Sequence, residues 1–94
     1  MKDIPTPVLP TENTVTMVGI LDKVSKEQYH IFPGTTLTLC CLTLANGFTV
    51  TGESACADPD NFNSATGEYY ARQAAVSKIW LLEGYLLREK LHNQ

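Results

Sequence analysis

The residues best suited to chemistry are an arginine and a tyrosine near the start of the C-terminal third of the chain. Arg72 follows Tyr69 by three positions, about one turn if this segment is helical. A guanidinium fork suits phosphate, and an aromatic ring offers a base a stacking surface. Amide side chains upstream could bind the polar edges of that base. The candidate nucleotide site comprises Arg72, Tyr69, Asn61, Asn63, Phe48 and Thr51.

Each type of residue in this candidate site also has a structural interpretation. Arg72 could form a salt bridge with Glu83 or with Glu68, and Glu68 stands at the i−4 position that favours such a pair on a helix. Asn63 could cap the helix that follows it. Aromatic residues at helical spacing, Trp80 above all, more often belong to a core or an interface than to a stacking site. Both interpretations stay open at the level of the sequence.

The sequence contains none of the common catalytic or metal-binding motifs. It has no HExxH, CxxC or GxSxG pattern, and His30 and His92 are far apart in the chain. The three cysteines are an odd number, and the neighbours Cys40 and Cys41 would point to opposite faces of a strand, which disfavours a zinc site. We therefore expect a protein that is not an enzyme, has no metal or cofactor, and keeps its thiols reduced and mostly buried.

Length and charge narrow the class of protein further. Ninety-four residues make one domain with a modest core, which an additional subunit interface would help to stabilise. The net charge of −3 argues against binding to a nucleic-acid polymer, which needs a basic surface. No stretch reaches the ~18 consecutive apolar residues of a membrane span. The sequence thus favours a small, soluble binding protein.

The predicted domain begins after a proline-rich arm. Residues 1–13, with three prolines among the first ten, predict an extended N-terminal arm, and residues 14–94 predict a single α+β domain. A short helix is predicted from about Thr16, capped by Thr16 itself or by Thr14. A short strand is predicted over residues 27–32.

A β-hairpin is the clearest element in the middle of the chain. Two alternating segments, residues 36–44 and 49–53, flank Asn46-Gly47, the strongest short signal for a two-residue type I′ turn. This turn predicts a register in which Thr43 faces Val50. The predicted core face of the sheet then carries Leu37, Leu39, Cys41, Phe48 and Val50.

A long helix is predicted from Ser64 to Leu91, capped by Asn63 or Ser64. At 100° per residue its apolar side chains form two stripes. A second stripe opposite the core would be left exposed in a monomer, so we expect a homo-oligomer. The core stripe comprises Ala65, Tyr69, Val76, Ile79, Trp80, Leu86 and Leu87, and the second stripe comprises Tyr70, Ala74, Leu81 and Tyr85.

These elements predict an α+β fold. We expect a small antiparallel β-meander packed against the long C-terminal α-helix, with the short N-terminal helix beside it.

Several short motifs resemble one family of phage proteins. Over about residues 14–91 the chain is similar to the small tailed-phage accessory protein family named after gene 49 of a coliphage and gene 66 of a Shigella phage. That family has no established activity, so the resemblance implies a phage origin and action in the host cytoplasm without a mechanism. The motifs are Asn46-Gly47-Phe48, Gly52-Glu53-Ser54-Ala55-Cys56, Pro59 with Asn61-Phe62, Gly67, Ala71-Arg72, and Lys78-Ile79-Trp80 with Leu82-Glu83-Gly84-Tyr85-Leu86-Leu87.

The functional expectation comes by analogy with other small phage proteins. Such proteins often blunt host defence, and several unrelated families do so by sequestering cyclic or ADP-ribose-type nucleotide signals in oligomeric cages. We expect this chain to sequester a nucleotide immune signal of the host as a homo-oligomer. The alternative is a protein–protein interaction module that blocks a host or phage protein through the second helix stripe or the Thr-rich face of the sheet.

Overall fold

The computed structural model describes residues 13–94, which form a three-stranded antiparallel sheet, one long helix and two short helical segments. The strand order is β1-β2-β3, a meander. This arrangement confirms the predicted α+β fold, and the arm predicted over residues 1–13 lies, apart from Asn13, outside the described residues. The elements are α1 (Met17–Lys23), β1 (Val24–Ile31), β2 (Leu37–Leu44), β3 (Thr49–Ala55), a 3₁₀ turn (Pro59–Asn61) and α2 (Ser64–His92).

Both α-helices begin at side-chain caps. Thr16 Oγ1 accepts a hydrogen bond from the Gly19 amide at 3.0 Å at the start of α1. Asn63 Oδ1 accepts from the amides of Ala65 and Thr66 at 2.9 and 3.2 Å at the start of α2. Each cap satisfies amides that the first helical turn leaves unpaired. Of the caps that the sequence left open, Thr16 and Asn63 are the ones formed.

The turn between β2 and β3 is one residue longer than predicted. The Gly47 amide donates to the Leu44 carbonyl at 2.9 Å, and the Leu44 amide donates to the Phe48 carbonyl at 2.7 Å, so the loop has three residues. Among residues 13–94 only Gly34 and Gly47 have positive φ. Asn46 therefore lacks the positive φ that a type I′ turn requires. Gly47, at φ 91°, closes a type I turn with a bulge instead, and the predicted register is wrong.

The longer loop exchanges the two faces of the sheet, because a shift of one residue moves every side chain to the other side. Leu42 pairs with Val50 and Cys40 pairs with Gly52. The predicted core face was therefore wrong except for Val50: Leu37, Leu39 and Cys41 lie on the outer face, away from α2, and Phe48 is exposed. The face toward α2 carries Thr38, Cys40, Leu42, Leu44, Val50 and Gly52.

The sequence of β2 does not distinguish its two faces. Leu-Thr-Leu-Cys-Cys-Leu-Thr-Leu reads the same in both directions. As a result, the row buried under α2 and the row on the outer face each carry two leucines, one cysteine and one threonine. Alternation alone is thus unable to predict which row forms the core.

The helix α2 packs on the sheet through its smallest residues. A Cβ on Gly52 would overlap backbone atoms of Ala71, Ala74 and Ala75, so the helix backbone lies directly on β3. Such an approach requires a glycine on the strand and small side chains on the helix. It places Ala71 and Ala75 in the core and leaves bulkier neighbours at the margin.

This close approach also rotates the helix relative to the predicted core stripe. Val76 and Ile79 are buried as predicted, whereas Tyr69, Trp80 and Leu86 are 58%, 37% and 60% exposed, and Ala65 is exposed as well. The predicted stripe was wrong for these four residues because it was placed by side-chain bulk. The buried residues of α2 are Gly67, Ala71, Ala75, Val76 and Ile79.

Candidate functional site

Arg72 reaches from α2 to the edge strand β1. Its Nε donates to Glu27 Oε1 at 3.1 Å and its Nη2 to Glu27 Oε2 at 3.5 Å. The Tyr29 hydroxyl donates to the same Oε1 at 2.8 Å. The ion pair thus joins residues 45 positions apart, and it forms with Glu27 rather than with Glu68 or Glu83, the two partners that the sequence suggested.

The environment of this cluster shifts the pKa values of three of its groups. The hydrogen bond from Tyr29, and then that from Arg72, lower the pKa of Glu27. Burial and the hydrogen bond to Glu27 raise the pKa of Tyr29, and burial raises the pKa of the adjacent Cys40 thiol. The cluster holds an ionised pair beside a neutral phenol and a neutral thiol. It fastens β1 to α2 and offers no activated nucleophile.

A small cavity lies at the start of α2. Its volume is about 210 Å³, and the rings of Phe62 and Tyr70 give it two aromatic walls. The amides in its lining have partners within the chain, since Asn61 Nδ2 donates to Asp58 Oδ2 at 3.1 Å and Asn63 caps α2. The lining comprises Ser54, Ala55, Cys56, Asn61, Phe62, Asn63, Thr66, Gly67 and Tyr70.

The six residues of the predicted nucleotide site are divided among several places. The cavity at the start of α2 has only two of them in its lining. Asn61 and Asn63 line the cavity at the start of α2, Tyr69 is exposed beside Tyr70 with ring centroids 5.2 Å apart, Arg72 pairs with Glu27, Thr51 lies on the outer face of the sheet, and Phe48 follows the β2–β3 loop.

Two members of these clusters had no sequence signal that pointed to them. Glu27 and Tyr29 belong to β1, and only the packing of α2 over the sheet brings Arg72 to them. The sequence pattern placed Tyr70 in the second apolar stripe of the helix and not in the candidate site. A tyrosine seven positions after the cap Asn63 lies two turns into α2, close enough to the preceding loop to line a cavity with it.

A groove with apolar walls lies between the β2–β3 hairpin and the C-terminal half of α2. Phe48, Tyr85 and Leu86 are each more than half exposed, and the groove between them has a volume of about 230 Å³. We call it the hairpin–helix groove. Its lining comprises Leu44, Asn46, Phe48, Leu82, Glu83, Tyr85 and Leu86.

The groove has a nearly neutral rim. Glu83 is the acidic residue in its lining, and Lys23 of α1 lies 3.9 Å from the Glu83 carboxylate. Leu81, which is 76% exposed, lies on the same C-terminal half of α2. Apolar side chains on several sides of a helix are typical of a helix that is covered in an assembly.

The whole of this framework falls within a match to one protein family. A model of the phage protein (N4 Gp49/phage Sf6 gene 66) family matches residues 14–91. The chain belongs to this family. The resemblance seen in the short motifs is thereby confirmed, and the matched region contains the sheet, α1, all of α2 except its last residue, and every cavity described above. Comparison with curated proteins and with solved structures gave no significant match. Within residues 13–94 no helix is both long and apolar enough to cross a membrane.

Proposed function

We propose that this member of the phage family is a binding protein that acts in the host cytoplasm by contacting another protein through the hairpin–helix groove. The observation that carries the proposal is the groove itself, where Phe48, Tyr85 and Leu86 leave their side chains largely uncovered. Contiguous apolar patches of this kind mark interaction sites on soluble proteins.

The shape of the groove defines the partner that it would accept. Aromatic and aliphatic walls of about 230 Å³ suit one or two apolar anchor side chains, which carry most of the energy of such contacts. The Lys23–Glu83 pair at the rim adds polar contacts without a strong net charge. A protein segment with an apolar anchor, from the host or from the phage, fits this description.

The test compares capture of host proteins by the wild-type chain and two charge variants. Leu86→Glu places a carboxylate in the groove, whereas Val18→Glu places one on α1 at a position that is 71% exposed and outside the groove lining. We expect Leu86→Glu to lose a partner that the wild type and Val18→Glu both retain, with the three melting temperatures alike. Equal capture by both variants would contradict the proposal.

Sequestration of a nucleotide immune signal is the second candidate function. Phe62 and Tyr70 offer stacking surfaces beside two amides in the cavity at the start of α2, which is what a purine requires. A cavity of about 210 Å³ is smaller than the ~300–1,000 Å³ of typical ligand sites. A nucleotide would therefore extend onto a second subunit, and Arg72 would reach its phosphate only by leaving Glu27.

A thermal-shift panel separates the two candidates. Cyclic dinucleotides, cyclic trinucleotides and cyclic ADP-ribose isomers are added in turn, and a ligand at a hundred times its dissociation constant should stabilise the protein by ~2.7 kcal/mol. Nucleotide capture predicts a shift that Tyr70→Ala abolishes and that Arg72→Ala weakens. If no member of the panel shifts the melting temperature, sequestration of these nucleotides is excluded. The proposal of protein binding is then decided by the capture experiment alone.

Both candidate functions include a homo-oligomer. Tyr70, Leu81 and Tyr85 of the second helix stripe are exposed, so this stripe is one surface on which copies can associate, separate from the outer face of the sheet. Association of copies would also compensate for the small core of a chain of this length. Sedimentation at tens of micromolar should detect species larger than the monomer.

A further inference from the structure

The outer face of the sheet is the second large surface that no element among residues 13–94 covers. Ile20 of α1 belongs to the core that α2 covers, so both helices lie on the other side of the sheet. Leu37, Leu39 and Cys41 nevertheless form an apolar row along the middle of the outer face, half-buried only by their neighbours. Together with Thr43, the row has the same composition as the row that α2 buries. Residues 13–94 therefore leave uncovered a surface of the kind that they elsewhere bury.

The two sides of this apolar row differ in size and charge. The β1 side carries long side chains, and the β3 side carries shorter ones opposite them in the register. The basic residues Lys26 and His30 lie on the β1 side, and the acidic residue Glu53 lies on the β3 side. From one end to the other, the cross-strand rows are Phe32–Leu37–Ala55, His30–Leu39–Glu53, Gln28–Cys41–Thr51 and Lys26–Thr43–Thr49.

This pattern is complementary to itself. A two-fold axis parallel to β2 places the β1 side of one copy over the β3 side of the other. Each cross-strand row of one copy then faces the same cross-strand row of the second copy. His30 then faces Glu53 of the partner, Phe32 faces the small Ala55 of the partner, and the central leucines meet along the axis. Long side chains oppose short ones and base opposes acid, twice over, as an isologous interface requires.

We infer that the outer face of the sheet binds the outer face of a second copy of this chain around that axis. Sheets packed in this way lie ~10 Å apart. Three strands ~4.8 Å apart, each about seven residues long at ~3.3 Å per residue, give a face of about 330 Å² on each copy, which is below the range of stable interfaces and in that of weak, transient ones. The dimer is accordingly weak and assembles as concentration rises. Because α2 lies on the opposite side of each sheet, both copies of the hairpin–helix groove stay outside, and the inference does not rest on the function proposed for that groove.

The decisive experiment mixes two variants that should each fail to dimerise. In a dimer of His30→Glu, the new carboxylate of each copy would face the Glu53 carboxylate of the other copy. In a dimer of Glu53→Lys, the new ammonium group of each copy would face the His30 ring of the other copy. We expect each variant alone to associate at least about tenfold more weakly than the wild type in sedimentation equilibrium, because like charges in an interface cost binding energy. An equimolar mixture should form a heterodimer, since one Glu–Lys contact and one His–Glu contact are then made.

Two further measurements test which surface of the protein forms the dimer. Cys41 lies on the axis while Cys40 is buried, so in a Cys56→Ser background a bismaleimide of about 10 Å should cross-link dimers through Cys41. Leu81→Glu, on the other side of the molecule, should leave dimerisation unchanged. A wild type that stays monomeric at several hundred micromolar, a mixture that forms no heterodimer, or a dimer dissolved by Leu81→Glu would each overturn the inference, the last by moving the contact to the second helix stripe.

Discussion

Gly52 of β3 and Ala71 of α2 touch through their backbones, because a Cβ added to Gly52 would overlap the carbonyl oxygen of Ala71. This contact sets the distance between the helix and the sheet. It explains why α2 presents alanines to the core and holds its tyrosines and leucines outside it.

Gly52→Ala should therefore be one of the most damaging single-methyl changes in the chain. The added carbon meets helix backbone, which is unable to move without displacing α2, so we expect a loss of about 1–3 kcal/mol or more in the free energy of unfolding. Urea denaturation measures the loss. Gly84→Ala is the matched control, since a Cβ there meets nothing within 4 Å and the change should stabilise the helix by up to ~1 kcal/mol. Equal melting temperatures for the two variants would show that the close contact is not formed.

The β2–β3 loop makes a second prediction, at Gly47. Its φ of 91° lies where a side chain is strained, so Gly47→Val should cost about 1–2 kcal/mol. Gly47→Asn should cost less, because asparagine tolerates the left-handed region. Thermal denaturation of the two variants tests the loop geometry, and a valine tolerated as well as asparagine would argue against it.

Replacement of the buried residue Thr38 by valine is predicted not to lower the free energy of unfolding. The residue is fully buried, and its Oγ1 has no hydrogen-bond partner among residues 13–94. Replacing an unpaired hydroxyl by a methyl group of similar shape removes a desolvation penalty, so Thr38→Val should be neutral or stabilising by about 1 kcal/mol.

Thr36 provides the matched control for that change. Its Oγ1 donates to the Cys56 carbonyl at 2.6 Å, and Thr36→Val should therefore lose about 1 kcal/mol. If both variants shifted the denaturation midpoint in the same direction, the difference between the paired and the unpaired hydroxyl would be refuted.

The Glu27 cluster predicts sensitivity to acid. Because the folded state lowers the pKa of Glu27 below its ordinary value of 4.5, the carboxylate stabilises the fold above that pH, and the stabilisation is lost as pH falls through the lower folded value. The effect should stay under ~1 kcal/mol, since both partners of the ion pair are partly exposed. Urea denaturation at pH 7 and pH 3 should show a smaller pH dependence for Glu27→Gln than for the wild type.

Tyr29→Phe refines the same prediction. It removes the hydrogen bond that contributes most to the lowered pKa of Glu27 while it leaves Arg72 in place. We expect a pH dependence between those of the wild type and Glu27→Gln. An unchanged pH dependence in both variants would show that the cluster does not influence stability.

Local rules in the sequence were sufficient to predict the helices and strands, but not to predict which of their faces pack together. Thr16, Asn63 and the long run from Ser64 act within one or two turns, so the helix starts were predictable. The faces of β2 were not, because its palindromic sequence offers two equivalent rows, and the standard Asn-Gly signal favoured a loop one residue too short.

The candidate site shows the same boundary between local and distant effects. Asn61 and Asn63 were expected to act together, and they do line one cavity. The Arg72–Glu27 pair depends on a contact across 45 positions, for which one sequence carries no signal. The helix face toward the sheet was set by Gly52, a residue without a side chain, and side-chain bulk was therefore a misleading guide.

The palindrome of β2 has a consequence for how this protein can evolve. Where the two rows of a central strand are interchangeable, a shift of one residue in the pairing of that strand with its neighbours would exchange the buried row and the displayed row without changing the composition of either. Such a shift would change which side chains of β2 the protein displays while its amino-acid sequence stayed almost the same.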